Sequence, residues 1–191
     1  MYKFSTVVGT LALLYFLDTN ANMDGGPGLW YVFSVEDCHE ELELVLMNVT
    51  VKKHKLNRTH DVYDALLDVH DTLGNGDGVL LDICKHTDGG CKQVHLVTDN
   101  DVGEFAEKYA KKNMEAAFTL AGMDPPRFPV SPGSYDVRDF YFDRCEMPHD
   151  AVYGEFTALA YVTRGAQRVA CIRVHVEFKD EEDNECVYDD E

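Results

Sequence analysis

Apolar and polar residues alternate along the C-terminal third of the chain, and this alternation predicts antiparallel β-strands. The run from Tyr153 to Val162 is followed by a turn at 163–166 and a second run from Arg168 to Phe178. The apolar residues that share one face are Phe156, Ala158, Ala160 and Val162 in the first run, and Ala170, Ile172, Val174, Val176 and Phe178 in the second. Because successive side chains on a strand point to opposite faces, the predicted sheet has one apolar and one polar surface.

Weaker patterns predict further elements on either side of a helix. Residues 135–142, 42–51 and 79–83 are typical of strands, and residues 61–69 fit either a strand or a short helix. The spacing of apolar residues over 101–121 predicts one amphipathic helix, with Asp101 as N-cap, Glu104 three residues on, and Gly122 ending it. We therefore predict a mainly β fold, an antiparallel β-sandwich with one added helix. That helix is either a lid over an opening or an element packed on the outside.

Small residues interrupt the predicted apolar face. Ala158, Ala160 and Ala170 lie among larger aliphatic and aromatic residues. A second sheet could pack such a face completely, or the face could line a hollow that holds an apolar ligand. The pattern alone leaves both alternatives open.

The N-terminus has the features of a secretory signal peptide over residues 1–21. Lys3 precedes an apolar run from Val7 to Leu17, and Thr19-Asn20-Ala21 supplies small residues before a cut. Since no other segment approaches about 18 apolar residues, we expect a soluble mature chain that is secreted, extracellular or lysosomal. We expect one domain over residues 30–179 and an acidic tail over 180–191.

The charge and the cysteines narrow the possible partners. A net charge of −18 repels phosphate backbones, so we exclude nucleic acid as a partner. Adding eight positive charges through the histidines would give −10 in an acidic compartment and weaken repulsion from membranes. Six cysteines in a secreted chain predict disulfides, although sequence leaves their pairing open. Asn48 and Asn57 lie in N-glycosylation acceptor triplets.

Catalytic and metal-binding patterns are weak. Ser34, Ser131 and Ser134 lie outside any Gly-x-Ser-x-Gly turn, and no Cys-x-x-Cys pair favours zinc. The stretch 99–103 resembles the start of a calcium loop, but its glycine falls one place early. We therefore predict no enzymatic activity, no catalytic residue, no metal and no cofactor.

An ordered set of segments carries a resemblance to a known family. The segments are 33–38 (FSVEDC), the loop between Cys84 and Cys91, 128–135 (FPVSPGSY), the Met147-Pro148 break, Gly154 at a strand start, and 167–174 (QRVACIRV). In order and spacing this set resembles the ganglioside activator family, which includes the lysosomal cofactor of β-hexosaminidase, within the wider ML-type lipid-recognition proteins.

The resemblance implies a β-cup, in which antiparallel sheets enclose a hollow for lipid acyl chains. It implies the disulfides Cys38–Cys171, Cys84–Cys91 and Cys145–Cys186, the last tethering the acidic tail. The residues expected to contact lipid are Phe156, Ala158, Ala160, Val162, Ile172, Val174, Val176, Phe178, Val79 and Leu81.

The function expected from the resemblance is to extract, carry or present a glycolipid, phospholipid or fatty acid without chemistry on the protein's own residues. Transient membrane contact and a glycosidase or receptor partner follow from the same resemblance. The alternative from another class is a secreted acidic interaction module with a packed core, which binds a receptor or modulates immunity.

Overall fold

The computed structural model describes residues 25–38, 42, 44–58, 60–74, 76–180 and 186. The signal peptide predicted at residues 1–21 lies outside these residues, as does the acidic tail beyond Asp180 except for Cys186. Of the described residues, 58% lie in strands and 14% in helices, which confirms the predicted mainly β class.

Antiparallel strands build a sandwich-like arrangement of open sheets. The described strands are β1 (Gly25–Pro27), β2 (Leu29–Asp37), β3 (Met47–Lys55), β4 (Asp61–Val69), β5 (Asp77–Thr87), β6 (Gly90–Asp99), β7 (Gly133–Phe140), β8 (Asp150–Val152), β9 (Gly154–Arg164) and β10 (Gln167–Lys179). They form a five-stranded sheet in the order β2-β10-β9-β5-β6, a three-stranded sheet β3-β4-β7, and a small pair β1-β8.

The predicted helix over 101–121 is two helices in the structure, α1 (Val102–Tyr109) and α2 (Lys111–Leu120). Asp101 caps α1 as predicted, since its side chain accepts from the Glu104 N–H at 2.9 Å. The chain leaves helical geometry at Ala110, where φ is −152° and ψ is 33°. Glu146, in a short 3₁₀-helix (Arg144–Glu146), accepts from the backbone N–H groups at the start of α2. The break therefore creates a second helix N-terminus that a distant carboxylate caps.

The two larger sheets meet along β2 and β3. The Lys53 ammonium donates to the Val32 carbonyl at 2.9 Å, and the Tyr63 hydroxyl donates to the same oxygen at 3.3 Å. The Leu46 N–H donates to the Val169 carbonyl at 2.8 Å. The edge strands on the other side are β6 and β7, and the connection between them contains both helices.

Three disulfides lie within this framework, two between distant parts of the chain and one inside a hairpin. Cys38 pairs with Cys171 at a Cα–Cα distance of 5.6 Å, and Cys84 pairs with Cys91 across the β5–β6 hairpin. The third bridge, Cys145–Cys186, ties the start of the acidic tail to the 3₁₀-helix. These are the pairs that the family resemblance implies.

Several strands differ from the sequence-based expectation. The strand expected at 42–51 is β3, which begins at Met47 and ends at Lys55, and β1, β2 and β8 were not predicted. The strand expected at 79–83 extends from Asp77 to Thr87, and β6, which follows it, was not predicted. Because β6 is an edge strand with most residues exposed on both faces, it carries no apolar alternation to reveal it. The ambiguous segment 61–69 is the central strand β4 of the three-stranded sheet.

Candidate functional site

The predicted lipid-contacting residues lie together on one face of the five-stranded sheet. Cross-strand pairing places Ala160 between Leu81 and Ile172. Two residues along β9, on the same face, Ala158 lies between Ile83 and Val174. Val79 pairs with Val162, and Phe156 pairs with Val176, so three adjacent strands contribute to a continuous apolar surface. We call this surface, from Val79 to Phe178, the inner face of the large sheet.

A second apolar face belongs to the three-stranded sheet, and sequence reasoning recovered only part of it. The alternation places Met47, Val49 and Val51 inward on β3, whereas Val45, within the predicted strand 42–51, precedes the observed one and is 37% exposed. The partners of these residues on the same face are Ala65, Leu67, Val69, Tyr135 and Val137. The signal for β4 was present as an alternation over 63–69, but the ambiguous period of that segment hid it.

Along the two inner faces, side chains in the middle are less buried than most of those near the ends. We call this pattern, the opposite of that in a packed sandwich, reversed burial. Side chains midway along the strands are only half-buried: Leu81, Ile83, Ala158, Ala160, Ile172 and Val174 on the large sheet, and Val49, Val51, Ala65 and Leu67 on the small one. Most fully buried residues of these faces lie nearer the ends, such as Val69, Val79 and Phe178. Val137 is the exception, since it pairs with the central Ala65 and is 4% exposed. When two sheets pack face to face, the central inner side chains interdigitate and are the best covered.

One end of the sandwich is filled by a hydrophobic cluster. Val69, Leu73 and Val130 are each 4% exposed there, and Val162 from the large sheet packs against them. Phe118 from α2 packs against the same cluster. At least part of the helical segment therefore serves as packing, one of the two roles left open by the sequence.

The other end is closed by aromatic rings. Trp30 lies 4.9 Å from Phe178 and 5.8 Å from Phe156, measured between ring centroids. Tyr153 stacks on Phe178, and the Trp30 indole N–H donates to the Pro148 carbonyl at 2.7 Å. On β9 and β10 the half-buried central residues thus lie between these rings and the Val69 cluster at the opposite end.

A buried ion pair anchors the turn that leads into β5. Asp77 is 1% exposed, and its carboxylate accepts from Arg164 Nε at 2.7 Å and Nη2 at 3.0 Å. Arg164 also contacts Asp71 and the Thr72 carbonyl, and Asp77 accepts from the Gly74 N–H. Hydrogen bonds that Arg164 donates to Asp77 and then to Asp71 raise its pKa, so the guanidinium stays charged.

A polar cluster on the outside of the small sheet has the residue types of a cation site. His54 Nε2 lies 3.1 Å from Asp139 Oδ1, and His54 Nδ1 lies 3.8 Å from Asp64 Oδ2. The Asp139 N–H, then the charges of His54 and Arg138, lower the pKa of Asp64. Because the Arg138 guanidinium lies 3.6 Å from Asp64 and balances its charge, we interpret the cluster as a surface ion-pair network.

A cleft beside α1 has a volume of about 180 Å³, below the range of about 300–1,000 Å³ typical of small-molecule sites. Three of its lining residues are the acids Asp101, Glu104 and Glu107. Neither its size nor its charge suits an acyl chain. The inner faces therefore remain the candidate site.

The predicted glycosylation acceptors lie at the surface. Asn48 is exposed on the face of β3 opposite the inner face, and Asn57 is exposed in the turn between β3 and β4. A glycan at Asn48 would therefore point away from the candidate site.

Comparisons with protein-family models and with curated proteins gave no match. No helix within the described ranges is both long and apolar enough to cross a membrane. Support for a function therefore comes from the geometry of the site and from the family resemblance.

Proposed function

We propose that this chain is a secreted lipid-binding protein that extracts, carries or presents a lipid by enclosing its acyl chain between the two inner faces. The observation that supports this proposal is the reversed burial. Ten apolar side chains in the middle of the sandwich are half-buried, while the cluster around Val69 and the rings around Trp30 close the ends. An acyl chain in this position would cover these side chains. In a packed core, side chains of the facing sheet would cover them instead.

The energetics favour a ligand that is purely apolar along its length. Each CH₂ group transferred from water contributes about 0.8 kcal/mol, so a long acyl chain supplies several kcal/mol before entropic costs. The inner residues named above are aliphatic or alanine and offer no hydrogen bonds along the middle of the face. Binding would therefore select for an alkyl chain rather than for a polar ligand.

Secretion is part of the same proposal. Three disulfides within one chain are typical of proteins made in an oxidising compartment, and the N-terminal sequence has the features of a signal peptide. A glycosidase or receptor that receives the lipid is a proposed partner on the strength of the family resemblance alone. The protein itself would contribute binding and no catalysis.

The test is the lipid content and the lipid uptake of the purified protein. The full chain is produced in a eukaryotic secretory host, extracted, and its lipids identified by mass spectrometry. Saturable, stoichiometric uptake of a fluorescent fatty-acid probe is the expected result at some pH between acidic and neutral. A protein that carries no lipid and shows no saturable uptake at any of these pH values would favour the packed interaction module instead.

A further inference from the structure

Cationic side chains lie at the Phe156 end of the inner face, on β5 and β6, beside the strands that carry the aromatic rings. Lys85 on β5 pairs with Phe156 on one side and with Lys92 of β6 on the other. His95 pairs with Ile83, two positions before Lys85, and so belongs to the same face. We call Lys85, Lys92 and His95 the basic end of the inner face.

The two lysines of the basic end have no acidic partner within the described part of the chain. No carboxylate oxygen there lies within 4.0 Å of either ammonium group, whereas the inner-face Lys53 lies 2.9 Å from Asp61. The chain has 35 acidic and 17 basic residues, so acids are abundant enough to pair every lysine. Two adjacent lysines without such partners, beside an apolar surface, form a site that suits an anion.

The backbone of β9 leaves room for the Lys85 side chain to lie across the sheet. Gly154 has a φ of +135°, and a Cβ atom at this position would come within 2.9 Å of Lys85 Cε. The Lys85 ammonium lies 5.9 Å from the centre of the Phe156 ring, and the residue is half-buried. The positive charge is thus held at the boundary between the apolar middle of the face and the solvent.

The distance along β5 from Lys85 toward the end filled by the Val69 cluster suits one acyl chain. From Lys85 to Leu81 there are four strand steps of about 3.4 Å, or roughly 14 Å. One leaflet of a bilayer, which a single acyl chain spans, is about 15 Å of the ~30 Å hydrocarbon core. Beyond Leu81, Val79 is buried near the cluster that closes the sandwich.

We infer that the lipid bound on the inner face is anionic, and that Lys85 and Lys92 contact its carboxylate or phosphate while its tail runs toward Val79. This inference rests on the proposed lipid-binding function and names the chemical class of its ligand.

The test compares two probes that share a tail and differ in charge: a fluorescent fatty acid and its methyl ester. In the wild-type chain the acid should bind at least tenfold more tightly than the ester, with a preference that falls as salt is added. The double variant Lys85→Gln/Lys92→Gln should lose about tenfold in affinity for the acid and keep its affinity for the ester. Retained ester binding also shows that the variant is folded.

Lys52→Gln is the control for charge. Lys52 is exposed on the outer face of β3, away from the inner face, and its replacement removes one positive charge, as each substitution in the double variant does. It should leave binding of both probes unchanged. A lysophospholipid probe and a free inorganic phosphate competitor separate the sources of the anion: competition by the lysolipid alone identifies a lipid head group.

The possible failures are distinguishable. The anionic-ligand inference is overturned if the wild type binds acid and ester equally well, or if Lys52→Gln loses as much affinity for the acid as the double variant does. Either result is still compatible with lipid binding. Competition by inorganic phosphate as strong as that by the lysolipid also overturns it, since the site would then bind a free anion. Binding of neither probe overturns both proposals.

Discussion

Replacement of Ala160 by leucine should change the free energy of unfolding in opposite directions, depending on whether the interior of the sandwich is hollow or packed. Ala160 is half-buried at the centre of the inner face, between Leu81 and Ile172. Leucine adds three carbon atoms at this point. If the space above Ala160 is open, burial of these carbons at about 0.8 kcal/mol each should raise the free energy of unfolding by up to about 2 kcal/mol. In a packed core, the same substitution should cost about 1–3 kcal/mol through overpacking.

The measurement is denaturant unfolding of lipid-free protein, with the slope checked to be unchanged. Ala170→Leu is the matched control, because Ala170 is only 1% exposed and pairs with Val162 at the filled end. This control should be destabilised by about 1–3 kcal/mol. Ala160→Leu should also reduce uptake of the acyl probe, since the new side chain occupies the space of the ligand.

The result that refutes this reasoning is a destabilised Ala160→Leu variant. A loss of more than about 1 kcal/mol, similar to that of the Ala170 control, would mean that the middle of the sandwich is already filled. The half-burial of the inner residues would then reflect exposure at the edges of the sheets, and the lipid-binding proposal would lose its main support.

Three further predictions concern stability. Arg164→Ala should lower the free energy of unfolding by about 3–5 kcal/mol in urea titrations, because it leaves the Asp77 carboxylate buried without its partner. Burial raises the pKa of Tyr63 from 10.0 to about 12, so the folded state favours the protonated phenol. The stability of the wild type relative to Tyr63→Phe should therefore be constant below pH 10 and fall by about 3 kcal/mol as the pH rises to about 12, at 1.36 kcal/mol per unit. Replacement of Cys38 and Cys171 by serine opens a bridge between residues 133 positions apart and should cost about 5 kcal/mol by chain entropy, measured by calorimetry.

Each of these three has its own control. Arg164→Ala combined with Asp77→Asn should cost less than the sum of the single variants, and additive effects would contradict a coupled pair. A stability difference between wild type and Tyr63→Phe that does not change with alkaline pH would contradict burial of the phenol. Serine replacement of Cys84 and Cys91, which are only seven residues apart, should cost less than loss of the long-range bridge.

The two C-terminal strands were predictable because they are encoded locally. The alternation over 153–162 and 168–178 gives β9 and β10, since a strand with one apolar face carries a period of two. The Asp101 cap was equally visible, because an N-cap depends on residues only three positions apart. The edge strand β6 was not predictable in this way, since no second layer demands an apolar face from it.

The candidate site itself was only half visible. The inner residues of β5, β9 and β10 follow from alternation and from the resemblance, whereas their partners on β4 and β7 depend on which sheet faces them. The break at Ala110 likewise depends on Glu146, more than 30 residues away, which caps the second helix. Such pairings leave no local pattern because they arise only when the sheets assemble.

The two C-terminal strands, their apolar faces, the acidic charge and the six cysteines could be read from the amino-acid sequence, because each depends on composition or on neighbours along the chain. The tertiary structure decided how deeply those faces are covered and that Lys85 and Lys92 lie together at their end. The physical reason is that burial is a property of the distance between two sheets, and a strand carries the same alternation whether a side chain or a ligand covers it.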